Sequence, residues 1–178
     1  MHHNHNIDDL ALFEPICLLL LDVDGVLTDG TLFYTGTDTE TKAFSVKDGL
    51  GLRMLVGSGI HVGIVTGRSS DALNRRCKEL GITTVCDNVK DKAACLEAIL
   101  ARCRVQAGQT AFMGDDLPDI PLMKRVGLAI AVADAHPAVK STAAFVTGAP
   151  GGRGAVREVC EHILHARDLW KTAAGKFL

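Results

Sequence analysis

LLLLDVDGVLTDG, residues 18–30, decides how this chain is read. Four leucines without a polar interruption fit a strand buried on both faces. They run straight into Asp22 and Asp24, one residue apart, with Gly25 behind them. Asp-Gly is ordinary turn chemistry. The pair therefore either ends a strand or is delivered by it as a reactive site.

Outward from this stretch, short apolar runs alternate with helical patterns. ICLLLL (16–21), HVGIVTG (61–67), TTVCD (83–87), TAFMGDD (110–116) and LAIAVAD (128–134) read as strands, and 143–147 as a short sixth. TLFYTGTDTETKAFSV (31–46) holds two strand-like pieces around a Gly/Thr/Asp turn, hence a hairpin. Helical spacing covers 48–58, 91–104 and 154–169, and a further helix capped by Ser69 or Ser70 ends near Gly81. Strand–helix alternation with continuously apolar strands predicts an α/β fold, a doubly wound Rossmann-like parallel sheet covered on both faces. The spans 24–66 and 92–115 hold a hairpin and single helices, so a β-hairpin insertion and no cap domain are expected. One domain over 15–170 is predicted, with flexible tails at 1–14 and 171–178.

The chain has 178 residues, of which 47% are hydrophobic and only 4% aromatic, so its core must be mainly aliphatic. With 19 basic and 21 acidic residues the net charge is −2, which argues against a nucleic-acid or membrane-surface partner. No apolar run approaches the length of a membrane span. The histidine-rich start (His2, His3, His5) lacks the apolar core of a signal peptide and reads as a solvated tail. Cysteines at 17, 77, 86, 95, 103 and 160 form no C-x-x-C pair and read as reduced, mostly buried thiols, so a cytoplasmic protein is expected.

In a doubly wound sheet, ligands bind outside the C-terminal ends of the strands. The unusual polar residues sit there. Asp22 and Asp24 follow the first strand, Thr66, Gly67 and Arg68 the second, Asp115 and Asp116 the fourth, and Lys92 opens the helix after the third. Carboxylates from Asp22, Asp24 and Asp115 make an oxygen-rich pocket suited to Mg²⁺. Thr66 and Lys92 add donors for phosphoryl oxygens. Asp22 is then the candidate nucleophile at phosphorus, and Asp24 the candidate acid and base. Asp116 and Asp119 either cap the helix at Pro118 or orient the metal site. Arg68 is a candidate substrate contact. Lys47 and Asp48 are either a helix entry, with Asp48 as its cap, or substrate contacts. His61 and His136 read as structural.

These residues resemble the haloacid dehalogenase superfamily of phosphotransferases. DVDGVLTDG matches its first motif, TGR its second, Lys92 its third and GDDLPD its fourth, in order over 18–119. More narrowly, KAFSVKDGLG (42–51), IVTGR (64–68), GDDLPDIPLM (114–123), VADAHP (132–137) and GGRGAVREV (151–159) resemble the family of 3-deoxy-D-manno-octulosonate (KDO) 8-phosphate phosphatases. The resemblance implies hydrolysis of a sugar-acid phosphate in lipopolysaccharide synthesis. It implies Mg²⁺ held by Asp22, the backbone carbonyl of Asp24, and Asp115, and it implies a homotetramer. The turn GTDTET (36–41) departs from the family's shorter turn. Without a cap domain, neighbouring subunits are expected to cover the site, with the hairpin as a contact. Arg153 and Arg157, in and beside the glycine-rich loop, are expected to reach the substrate carboxylate.

The rival functions fit less well. A dehalogenase needs no acid two residues after its nucleophile and no metal. A signalling receiver domain carries its phosphoacceptor on a later strand. A catalytically dead subunit would have lost a motif residue. A phosphatase for a related sugar acid, such as N-acylneuraminate 9-phosphate, is the nearest alternative.

Overall fold

The computed structural model describes residues 7–35, 40–175 and 177. In chain order the elements are α1 (Ile7–Phe13), β1 (Leu18–Leu21), β2 (Phe33–Tyr34), β3 (Glu40–Thr41), α2 (Val46–Gly57), β4 (His61–Val65), α3 (Asp71–Leu80) and β5 (Thr84–Cys86). A 3₁₀ turn at Lys92–Cys95 leads into α4 (Leu96–Cys103). Then come β6 (Thr110–Gly114), α5 (Ile120–Met123), β7 (Leu128–Ala131), α6 (Pro137–Thr142), β8 (Phe145–Val146), α7 (Ala155–Ala166) and α8 (Trp170–Ala174).

Six strands form one parallel sheet in the order β5-β4-β1-β6-β7-β8. The two-stranded antiparallel pair β2–β3 stands apart from it, as the hairpin reading expected. All four leucines of β1 are fully buried, because β1 pairs on both edges and carries helices on both faces. From β1 the chain moves outward through β4 and β5, returns to β6, and then moves the other way. Right-handed crossovers on the two halves therefore place their helices on opposite faces. The direction reverses between β1 and β6. Asp22 and Asp115 follow those two strands, so the fold itself brings them together.

The ends of the chain differ from expectation. Residues 7–13 lay within a predicted flexible tail, but they form α1. Phe13 is fully buried and meets the rings of Phe145 and His162 at 5.1 and 5.0 Å. One aromatic anchor outweighs the polar look of the segment. The histidines at 2, 3 and 5 lie outside the described residues. At the other end the predicted final helix stops at Ala166, Asp168 takes a left-handed conformation (φ 56°), and α8 follows with Ala173 and Ala174 buried. The second predicted tail is thus partly helix. The turn at 36–41 falls mainly on 36–39, outside the described residues.

Cysteine chemistry also differs. Cys86, closing β5, and Cys95, closing the Lys92 turn, pair as a disulfide, while Cys17, Cys77, Cys103 and Cys160 remain free thiols. Nine positions apart in sequence, the two are joined by the reversal between strand and helix, which a spacing rule does not see.

Candidate active site

β1 ends at Leu21, and the backbone N–H of Asp22 continues the ladder to the carbonyl of Met113 at 3.0 Å. The nucleophile candidate is therefore fixed on a rigid strand end. Gly25 then turns the chain with φ +89°, and a Cβ there would lie 2.1 Å from Asp115 Oδ2. Only glycine lets these two loops approach so closely.

Lys92 is buried and joins the carboxylates. Its Nζ donates to Asp119 Oδ1 at 2.6 Å and lies 2.8 Å from Asp22 Oδ2. Asp119 is itself fully buried, and its other oxygen accepts the backbone N–H groups of Asp115 (2.9 Å) and Asp116 (3.2 Å). One carboxylate thus holds the lysine and shapes the loop after β6. Asp116 caps the following turn by accepting from Leu117 N–H. Both residues cap, and Asp119 in addition bonds Lys92 and the backbone after β6.

Ligand oxygens of Asp22, Asp115 and Asp119 lie within 4.8 Å of one another. Burial raises the Asp115 carboxyl to about 8, with the charges of Asp22 and Asp119 adding to the effect. Burial also raises Asp22, to about 6, against the pull of Lys92. Burial alone would lower Lys92, but Asp22 and Asp119 outweigh it and raise its affinity for the proton. Asp115 Oδ1 is buried with no hydrogen-bond partner among the described residues. Crowded carboxylates with an orphaned buried oxygen fit a hard divalent cation, which supplies the missing charge. Asp119 already spends both oxygens on Lys92 and backbone, so Asp22 and Asp115 are the side chains with capacity for it.

These groups line a cavity of about 370 Å³ with Asp24, Gly30, Thr66, Gly67, Arg68, Asp116 and Pro118. Thr66 and Gly67 follow β4, where the Thr66 N–H bonds Cys86 O at 2.9 Å. Arg68 lies on the rim, half-exposed, bonded to Glu40 and 3.5 Å from Tyr34 OH. The side chain of Asp24 is held by Lys42.

Four predicted substrate contacts are not brought to the cavity. Lys47 is exposed on α2. Asp48 is buried and accepts the backbone N–H groups of Arg157 (2.8 Å) and Gly154 (3.3 Å). It anchors the glycine-rich loop and the start of α7, and Ser45, not Asp48, caps α2. Arg157 pairs with Glu161 along its own helix. Arg153 is exposed and lies 3.5 Å from Asp29. The residue overlooked in the sequence is Lys42. From Thr41 to Phe44 burial alternates, exposed, buried, exposed, half-buried, so a period of two would have put Lys42 on the inner face with Phe44.

Residues 85–158 match the haloacid dehalogenase-like hydrolase model. The 3-deoxy-D-manno-octulosonate 8-phosphate phosphatase KdsC of Yersinia pestis is 48% identical over 160 residues, covering 90% of this chain and 86% of that protein. The chain belongs to the KDO 8-phosphate phosphatase family. Solved members of the family share its fold. The Moraxella catarrhalis enzyme, in complex with magnesium ion, phosphate ion and a KDO molecule, has a TM-score of 0.92 at 39% identity, covering 98% of this chain and 100% of that one. The cobalt-bound Haemophilus influenzae phosphatase has a TM-score of 0.88 at 38% identity, covering 94% of this chain and 99% of that one. Phosphatase membership removes the dehalogenase and receiver readings, and the meeting of Asp22, Lys92, Asp115 and Asp119 speaks against an inactive subunit.

Proposed function

We propose that this chain hydrolyses KDO 8-phosphate to KDO and phosphate, with Mg²⁺, in lipopolysaccharide synthesis. The observation that carries the reading is the meeting of Asp22, Lys92, Asp115 and Asp119 at the sheet's reversal point, in a chain 48% identical to a phosphatase of that name.

Asp22 attacks phosphorus, the bond from phosphorus to the sugar oxygen breaks, and an aspartyl-phosphate forms. Asp24 gives its proton to the departing alcohol oxygen and then takes one from the water that attacks the aspartyl-phosphate. That second attack releases phosphate and restores Asp22. Thr66 Oγ1, Lys92 Nζ and the N–H of Gly67 donate to the phosphoryl oxygens. Asp22, Asp115 and the Asp24 carbonyl would hold Mg²⁺, which would supply positive charge against the transferring phosphoryl group. Asp119 keeps Lys92 and the Asp115 loop in place.

Arg68, at the cavity rim, is suited to the sugar carboxylate. The open cavity and the exposed hairpin residues Phe33 and Tyr34 support a homotetramer in which a neighbouring subunit covers the site. The absence of a long apolar helix among the described residues is compatible with a cytoplasmic setting.

A phosphate-release panel tests the reading with KDO 8-phosphate, N-acylneuraminate 9-phosphate and hexose phosphates, each with Mg²⁺ and with EDTA. KDO 8-phosphate should be cleaved fastest and EDTA should stop it. Equal rates on all substrates would overturn the assignment.

A further inference from the structure

Four charges form a ring between the hairpin and the cavity. Asp24 and Arg68 line the cavity, and Glu40 and Lys42 lie at the hairpin end. Lys42 Nζ bonds Asp24 Oδ1 and stands 3.0 Å from Glu40 Oε1. The second Glu40 oxygen accepts from Arg68. Arg68 Nε faces Asp24 Oδ2 at 3.7 Å. Signs alternate around the ring, so every charge meets two of the opposite sign.

Lys42 is its most deeply buried member, with a side chain only 1% exposed. A buried ammonium is costly unless it is paired. A two-stranded hairpin gains nothing from that cost, since a lysine facing water serves its edge as well. What the burial does achieve is geometric. Lys42 fixes one oxygen of Asp24 and leaves Oδ2 turned towards Arg68, beyond hydrogen-bond distance.

We propose that Lys42 is a positioning residue for the proton-transfer steps. It holds the Asp24 carboxylate where the leaving alcohol oxygen is protonated, while Glu40 holds Arg68 for the substrate. This rests on the phosphatase reading above. An acid two bonds from the backbone can swing away from its target, and a displacement near 1 Å costs about 100-fold in rate. A fixed carboxylate avoids that loss.

The test uses kcat/KM, which reports the steps up to loss of the leaving group. It compares KDO 8-phosphate, whose alcohol needs a proton to leave, with p-nitrophenyl phosphate, whose leaving group departs as a stabilised anion. Lys42→Met should lower kcat/KM on the sugar phosphate by about 100-fold and on the aryl phosphate by less than about tenfold. Lys42→Arg should restore most of the loss. An equal loss on both substrates would mean that Lys42 only seats the hairpin, and no loss on either would mean that it has no role. Both results overturn the proposal. If Lys42→Met does not fold, Lys42→Met with Glu40→Gln removes one charge of each sign and is compared with Glu40→Gln alone, which has already lost the hold on Arg68. If the wild type cleaves the aryl phosphate but not KDO 8-phosphate, the substrate assignment fails. The comparison then runs on the alkyl phosphate that is cleaved fastest, so the two failures stay distinct.

Discussion

At Asp22 two influences oppose each other. Burial raises its carboxyl to about 6, and the Lys92 ammonium at 2.8 Å favours the anion that attack on phosphorus requires. Asp22→Asn keeps the shape and removes the nucleophile. Phosphate release should fall by at least about 10³-fold, and no phosphoenzyme should accumulate in a rapid-quench experiment. Retained turnover would exclude the covalent route. Gly25 permits a different prediction. Alanine there must adopt φ +89° and displace Asp115, whose Oδ2 would lie 2.1 Å from the new Cβ. Gly25→Ala should weaken Mg²⁺ binding by about 10- to 100-fold in a calorimetric titration, through a residue that holds no metal itself. The sequence marks Gly25 as a turn. Only the fold reveals that Asp115 fills the space beside it.

Among the elements, α2 and α7 show how adjacent residues separate in role. Asp48 and Lys47 are neighbours at the start of α2, yet one is 1% exposed and the other faces solvent. Asp48→Ala would strip the acceptor from the Gly154 and Arg157 N–H groups and remove an anion from the N-terminus of α7. A loss of about 2–3 kcal/mol is expected, seen as a fall of roughly 5–10 °C in the melting temperature. Lys47→Ala should stay within about 0.5 kcal/mol. Near-equal effects would contradict the assignment of the buried acid to structure. The motif KAFSVKDGLG announces that both residues matter to something. It cannot say which is turned inward, because that depends on α7, more than a hundred positions later. Element types were legible for the opposite reason. Leu18–Leu21 needs no context to read as a buried strand, and Ser70 and Gly81 bound α3 by local chemistry alone. Helix α1 was illegible because Phe13 finds Phe145 and His162 only after folding.

For the whole molecule, the candidate catalytic set was legible because it lies at strand ends, and strands can be read from the chain. The ring through Lys42 was not, because the hairpin is outside the parallel sheet and its orientation is settled by contact. The same convergence of acids that marks the site also makes stability depend on pH. In the metal-free protein Asp22 and Asp115 are raised from 3.8 to about 6 and about 8, so the folded state holds their protons more tightly than the unfolded chain does. Their contribution to stability is fully present below the unfolded value near 3.8, and it is lost as pH rises through about 6 and then about 8. Mg²⁺ needs both carboxylates ionised, so it competes with those protons and offsets the repulsion that remains when they leave. Mg²⁺ affinity should therefore rise with pH, by up to about tenfold per pH unit for each proton displaced, or about 1.4 kcal/mol. Scanning calorimetry with and without saturating Mg²⁺ should show a larger gain in melting temperature at pH 8 than at pH 6. A gain independent of pH would mean either that the acids are already ionised in the metal-free fold or that the orphaned oxygen of Asp115 is not where the cation binds.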